Sequence, residues 1–266
     1  RINLREGNEL KVSEVLEIKD GSFPCGLSQN EKRKVATNVV KWIPQNCIEC
    51  GMCSFVCPHA VIRPFVTKDK NKGIPLLGNN EYNYQVAVSE ADCTSCGLCI
   101  NICPGKGGNK ALEFGKYDEE KQKEADLLFK EKNPKIMDKF NIKGSQFETP
   151  RFEFSGACAG CGETSYIKLL TQLYQDKLVI ANATGCSSIY GGSAPSTPYT
   201  IPWANSLFED NAEFGYGISL SYKLKRNRIK KLMEDNLNNV SDDIKEIFEK
   251  WLNNINDYEI TKEVYE

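Results

Sequence analysis

Twelve cysteines and a single histidine carry most of the metal and redox chemistry open to this 266-residue chain. Eight of the cysteines fall in two runs, Cys47, Cys50, Cys53 and Cys57 before Pro58, and Cys93, Cys96, Cys99 and Cys103 before Pro104. Each run reads C-x-x-C-x-x-C-x-x-x-C-P, and the second repeats the first cysteine for cysteine at a constant offset. Three thiolates in so tight a loop take three corners of a cubane. The proline ends the loop and turns the fourth thiolate away, so that it ligates the other cluster in two-cluster proteins. The spacing therefore predicts one [4Fe–4S] cluster on Cys47, Cys50, Cys53 and Cys103, and a second on Cys93, Cys96, Cys99 and Cys57. Crossed ligation couples cluster binding to folding. Zinc sites pair two C-x-x-C knuckles, which fits three thiols plus Cys-Pro in each run less well. Disulfides inside such runs would close only tiny loops. Gly51 and Gly97 occupy matching places where backbone must approach a cluster. Ile48, Phe55, Val56, Ile100 and Ile102 are expected to cover the sulfurs. His59 is redundant as a ligand and is expected to be structural, and Cys25, alone among turn residues, to be unligated.

A second constellation lies in "FSGACAGCGET", which holds Cys158, Cys161 and Glu163. The pair reads equally as a redox dithiol, a zinc half-site or half of a third cubane. Cys186 follows the next apolar run. In a parallel strand–helix–strand unit the loops after neighbouring strands share one sheet edge. Cys186 is then expected to face Cys158 and Cys161, leaving three thiols with one wanting. Glu163 opens a helix, where the dipole favours a carboxylate, and its plain reading is an ordinary first-turn acid.

The elements that must position these groups divide the chain into four parts. Residues 1–41 read as a lead-in arm, and 42–115 as a ferredoxin-like α+β domain for two [4Fe–4S] clusters. The alternating "YNYQVAV" predicts a hairpin-like insertion between the runs. Residues 116–150 read as a charged connecting segment on the surface. Its helical pieces are broken at Pro134, with Ala125, Leu127, Leu128, Ile136, Met137 and Phe140 as apolar contacts. Residues 151–266 read as the start of an α/β domain. It has a strand at "RFEFSG", a helix burying Tyr166, Leu169, Leu170 and Leu173, a strand at "LVIANA", and helices around 206–237 and 241–254. Ile244, Ile247, Phe248, Trp251 and Leu252 form the apolar stripe of the last. A net charge of −2 argues against bulk nucleic-acid or anionic-membrane binding. No apolar run approaches a membrane span, and clustered thiols without an opening signal peptide fit a cytoplasmic protein. The chain opens at Arg1 without a methionine and reads as a fragment.

Five stretches, "CIECGMCSFVCPHAVIRP", "DCTSCGLCINICPGK", "FEFSGACAGCGET", "ANATGCSSIYGGSAPSTPYT" and "WANSLFEDNAEFGYG", resemble the 2-oxoacid:ferredoxin oxidoreductases, and pyruvate:ferredoxin oxidoreductase in particular. The resemblance spans most of residues 21–220. It implies oxidative decarboxylation of pyruvate on thiamine diphosphate with transfer of the acetyl group to coenzyme A. Electrons pass singly through three [4Fe–4S] clusters to ferredoxin or flavodoxin. By motif, Cys158, Cys161 and Cys186 resemble three ligands of the cluster beside the thiamine, the fourth coming from sequence outside this chain. Glu163 and Cys186 match positions against the thiamine cofactor. Gly191, Gly192, Ser193, Ser196 and Thr197 lie in a loop that is either near the cofactor or a plain connection. The Mg2+–diphosphate motif and the domains completing the pyruvate and coenzyme A sites are absent, so the chain is expected to be incomplete alone. Relatives carry several more residues where this chain reads Thr200-Ile201-Pro202-Trp203, and a small hydroxyl residue at Cys25. The resemblance also implies a homodimer. The alternative is a free-standing polyferredoxin-type electron-transfer protein without catalysis of its own.

Overall fold

The structure, a computed structural model, describes residues 4–20, 25–192, 197–207 and 210–265. Its contacts divide the chain into two units, Arg1–Leu178 with Gly185–Pro202, and Val179–Thr184 with Trp203–Glu266.

The first unit begins with short 3₁₀ turns and then forms β1 (Val39–Trp42), α1 (Met52–Val56), β2 (Ile62–Thr67), β3 (Ile74–Pro75), β4 (Asn83–Val88), α2 (Leu98–Ile102) and β5 (Leu112–Gly115). Strand β1 pairs antiparallel with β5, from Val39↔Gly115 to Trp42↔Leu112. Strands β2, β4 and β3 form a second antiparallel sheet, with Ile62 opposite Val88 and Ile74 opposite Tyr84. The insertion between the cysteine runs is thus the β3–β4 hairpin that its alternation predicts.

Helices α1 and α2 are single turns inside the two runs, and their backbones repeat. Gly51 and Gly97 precede them at φ 75° and 77°, a left-handed conformation that a side chain would strain. Cys57 and Cys103 end them in extended backbone, as the residue before a proline prefers. Val39, Val40, Ile62, Leu76, Tyr84 and Leu112 form a core that also contains Cys57, Cys93 and Cys99.

After β5 come α3 (Glu119–Leu128), α4 (Ile142–Ser145) and α5 (Thr164–Tyr174). Asp118 caps α3, its carboxylate accepting from the N–H groups of Glu120 and Lys121 at 2.9 and 3.2 Å. Segment 116–150 is helical in pieces, but it is stitched down by polar side chains. Gln122 accepts from the Ala91 N–H at 2.7 Å, and Asn133 donates to the carbonyls of Pro64 and Phe147. Ala125 is buried, whereas the expected contacts Leu127 and Phe140 are exposed.

Two expectations fail near α5. Residues 151–156 form only a lone bridge, Phe152↔Tyr199, because successive residues bond to different segments. Glu153 donates to the Pro198 carbonyl, and Phe154, at φ +52°, donates to that of His59. The left-handed turn at Phe154 prevents a strand from continuing. Helix α5 is also inverted. It buries Thr164, Lys168, Thr171 and Gln172, while Tyr166 and Leu170 are exposed and Leu169 and Leu173 only half-buried.

The chain continues through β6 (Ile180–Ala183), α6 (Cys186–Gly191), β7 (Trp203–Ser206), α7 (Asn211–Asn236), α8 (Asp242–Asn253) and α9 (Tyr258–Tyr265). In the second unit β6 pairs in parallel with β7, from Ile180↔Trp203 to Ala183↔Ser206. The partner of β6 is thus β7, not the expected strand at "RFEFSG". Helix α7 approaches β6 closely at Gly215, where a Cβ would lie 3.5 Å from that of Ala181. Trp251 is the buried residue of α8, while Ile244 and Ile247 are exposed.

Candidate metal centre

The two cysteine runs surround two cavities, and each cavity takes thiols from both runs. The first is lined by Cys47, Cys50, Cys53 and Cys103, closed by Trp42, Ile48, Tyr84, Val86 and Leu112. The second is lined by Cys93, Cys96, Cys99 and Cys57, closed by Val40, Val61, Ile62 and Val88. Among the described residues no three histidine, cysteine or carboxylate side chains converge as a single ion would need. The thiols ring a space instead, a donor set suited to a polynuclear cluster.

Burial makes these thiols reluctant acids. It raises Cys47 and Cys93, lifts Cys53 far above the ordinary value, and pushes Cys99 up to about 12, with neighbouring sulfurs adding to the rise at Cys99. A bound cation would be needed to hold them as thiolates. The backbone assists at two sulfurs. Glu49 N–H points to Cys47 Sγ at 3.4 Å, and Ala111 N–H to Cys103 Sγ at 3.3 Å. Such bonds are one lever on cluster potential. The apolar cover differs from expectation. Ile48 lines the first cavity although 40 % exposed, and Ile102 is equally exposed and lines neither. Strands β1, β2 and β4 provide most of the cover, residues that spacing within the runs cannot reveal.

The third thiol pair sits against the second cavity. His59, two residues beyond Cys57, is buried, with Nδ1 3.1 Å from the Ser155 carbonyl and Nε2 3.2 Å from that of Cys158. Burial holds its pKa below the usual value. Its role is structural, as the sequence suggests. A Cβ at Gly160 would lie 3.6 Å from that of Cys96. Arg33 donates to the Ser155 carbonyl at 3.1 Å, so the lead-in arm fastens the same loop.

Cys158 is exposed and Cys161 half-buried, and Cys161 N–H closes a turn on the Cys158 carbonyl at 3.1 Å. Exposed Cys186 begins α6. Its turn-mate Tyr190 is buried, and its hydroxyl has no hydrogen-bond partner among the described residues. Burial raises the Tyr190 phenol most, Glu163 next, and Cys161 acts on it too. Tyr190 went unnoticed in the sequence, where only its fourth place after Cys186 pointed to it. Glu163 is the N-cap residue of α5, but its side chain caps nothing. Ser193 and Ser196 lie outside the described residues, while Thr197 is buried and donates to the Gly191 carbonyl at 3.1 Å. Cys25 is exposed and unpaired in a disulfide.

Buried charges surround the cavities. Glu49, 2 % exposed between Cys47 and Cys50, accepts from Lys143 Nζ at 2.9 Å and from the Leu77 N–H at 3.0 Å. Arg63 pairs with Glu153, donates to the Ala60 carbonyl at 2.7 Å and lies 4.3 Å from the Phe129 ring centroid. Lys168, 1 % exposed, donates to the carbonyls of Ser54, Phe55 and Cys57. Burial lowers its pKa to about 8, against the opposing pull of Cys57 and Cys53.

Residues 46–107 match the 4Fe-4S dicluster domain, and residues 1–36 match EKR, a domain of unknown function. The chain is 44 % identical to the pyruvate-flavodoxin oxidoreductase of Klebsiella pneumoniae, over 98 % of its own length and 24 % of the relative's. It is 47 % identical to the pyruvate:ferredoxin oxidoreductase of Moorella thermoacetica, over 86 % of this chain and 21 % of that one. The pyruvate dehydrogenase [NADP(+)] of Euglena gracilis is 43 % identical over 85 % of this chain and 13 % of its own. The chain thus spans about a quarter or less of the relatives that it matches.

Proposed function

We propose that this chain, a homologue of one segment of the pyruvate-flavodoxin and pyruvate:ferredoxin oxidoreductases, is the electron-relay part and the opening of the thiamine region of such an enzyme. The whole enzyme would oxidise pyruvate with coenzyme A to acetyl-CoA and CO2, and ferredoxin or flavodoxin would receive the electrons. The observation that carries the reading is the pair of cavities, each ringed by three thiols of one run and the fourth of the other. Similarity reaching far beyond residues 46–107 favours it over a free-standing polyferredoxin.

Cys47, Cys50, Cys53 and Cys103 would hold one [4Fe–4S] cluster, and Cys93, Cys96, Cys99 and Cys57 the second. Cys158, Cys161 and Cys186 would hold a third, with its last ligand outside this chain. Bound there, the clusters supply one-electron carriers and thiamine diphosphate supplies an electron sink for decarboxylation. The chain's own residues do the rest. His59 and Gly160 keep the third loop beside the second cavity, so electrons would enter at the third site and leave through the first. Val40, Val61, Ile62 and Val88 keep water from the second site. Glu163 would orient the thiamine, with Tyr190 steadying its carboxylate. Mg2+ would find its ligands in other sequence. The enzyme would work in the cytoplasm as a homodimer; no helix among the described residues is long and apolar enough to cross a membrane.

The test uses the full-length protein with pyruvate, coenzyme A and ferredoxin or flavodoxin. Pyruvate-dependent reduction of the acceptor is expected, and none would sink the assignment. Glu163→Gln should lower that rate by about 100-fold with iron content unchanged.

A further inference from the structure

Lys168 is the most deeply buried cation in the first unit that pairs with no carboxylate among the described residues. Arg63 and Lys41 each have one, Glu153 and Glu90. Lys168 has only carbonyl oxygens: Ser54 and Phe55 from the last turn of α1, and Cys57 just past it. Carbonyls at a helix C-terminus welcome a cation, even where, as at Ser54, one already accepts from a backbone N–H. They do not neutralise it, and a buried charge with no opposite charge is costly.

The carbonyls that Lys168 binds lie on the backbone between Cys53 and Cys57. Arg63 repels it and is already matched by Glu153. The remaining candidates for its opposite charge are the two sulfurs. Cys53 lines the first cavity and Cys57 the second. Lys168 therefore holds the short backbone segment that joins a thiol of the first cavity to a thiol of the second. It reaches there from α5, which begins just after Cys161 and Glu163.

Resting on the cluster assignment above, we propose that Lys168 is the fixed countercharge of the dicluster relay. It is a positioning residue with an electrostatic duty, stabilising the more negative, reduced state of both clusters and so raising their potentials. The same clamp holds α5, and with it the third thiol loop, against the first run.

Redox titration of the anaerobically purified full-length enzyme with dithionite as reductant and low-potential mediator dyes, followed by EPR, tests this. Lys168→Gln keeps a donor and removes the charge, while Lys168→Arg keeps both. Lys168→Gln should shift the reduction equilibria of the two clusters at least tenfold toward the oxidised state, which is 59 mV for a one-electron couple. Lys168→Arg should restore most of that shift. A Lys168→Gln enzyme that loses iron where Lys168→Arg keeps it also supports the need for charge. Unchanged potentials in a fully loaded Lys168→Gln enzyme overturn the proposal, as does Lys168→Arg behaving like Lys168→Gln. The titration needs no pyruvate, so a failed pyruvate assignment leaves it readable. Absence of [4Fe–4S] signals from the unmutated enzyme would overturn the cluster assignment itself.

Discussion

Crossed ligation makes a prediction that a pair of double variants can decide. Cys57 belongs to the first run by sequence but lines the cavity of Cys93, Cys96 and Cys99. Cys103 belongs to the second run but lines the cavity of Cys47, Cys50 and Cys53. Neither can swing to the other side. Cys57 is 7 % exposed, its N–H donates to the Ser54 carbonyl at 3.1 Å, and its own carbonyl is held by Lys168. Cys103 is anchored through the 3.3 Å contact from the Ala111 N–H. Replacing Cys57 with alanine in the full-length enzyme should remove one cubane, about four irons. Cys57→Ala with Cys96→Ala should lose no more, since both thiols serve the same cavity. Cys57→Ala with Cys50→Ala should lose about eight irons, two cubanes. Ligation within each run predicts the reverse pattern for the two pairs. Anaerobic iron analysis on the monodisperse fraction, with EPR of the dithionite-reduced protein, reads the outcome. The reasoning is refuted if the Cys57/Cys50 variant keeps as much iron as Cys57→Ala alone while the Cys57/Cys96 variant loses a second cubane.

Three further outcomes are expected. Gly97→Ala should cost about 1–2 kcal/mol, because φ 77° is strained for alanine while the nearest atom to its Cβ, on the Phe114 ring, is 3.6 Å away. Gly51→Ala should cost more, since its Cβ would meet the Lys143 Cα at 3.1 Å, and comparing thermal bleaching of the two variants near 400 nm checks the order. Arg63→Met strands Glu153, which is 12 % exposed, and should destabilise the first unit by about 3–5 kcal/mol, read as a lowered melting temperature with the pairing variant Glu153→Gln as control. The iron-free, reduced protein should lose stability as pH rises. Burial lifts Cys99 from 9.0 to about 12, so the folded form holds more protons than the unfolded form between those values. That contribution is whole below pH 9, and up to ~4 kcal/mol disappears by pH 12. Denaturant midpoints at pH 8 and pH 10 test this, and a midpoint that rises with pH counts against it.

Which thiols line which cavity was legible because the spacing of the runs is local. Cys47, Cys50 and Cys53 share one loop, and Pro58 and Pro104 mark where each fourth thiol departs. The cover over the sulfurs was not legible. Tyr84 and Val86 belong to β4, and alternation along a strand says which residues share a face, not which cavity that face closes. Helix α5 shows the same limit more sharply. Its apolar spacing marks Tyr166, Leu169, Leu170 and Leu173 as one side, yet Tyr166 and Leu170 are exposed and the other two only half-buried. The opposite face is buried because its neighbours there are polar. The one-turn helix α1 leaves carbonyls that need donors, and Lys168 supplies them. Gln172 meets the Glu148 carbonyl at 2.9 Å and the Gln146 side chain at 3.2 Å, and Gln146 in turn meets the Ser54 hydroxyl at 2.9 Å. A residue's own periodicity cannot report what its neighbour lacks.

The same polar wiring bears on why the third thiol pair lies where it does. The "RFEFSG" stretch forms no strand and so has no sheet to locate it. Four of the contacts that locate it instead come from charged and ring side chains: Arg33 and His59 on the Ser155 carbonyl, His59 on that of Cys158, and Arg63 on Glu153. Three of them come from residues 59–63, immediately after Cys57. Electron transfer between sites needs a fixed separation more than a large interface. A covalent step from Cys57 through Pro58 to His59, whose ring then lies between the Ser155 and Cys158 carbonyls at 3.1 and 3.2 Å, fixes it with few residues. Because Cys57 is a proposed ligand of the second cluster, metal binding that orders the first run would also order the loop carrying Cys158 and Cys161. Assembly of the relay and placement of the third site would then be a single folding event.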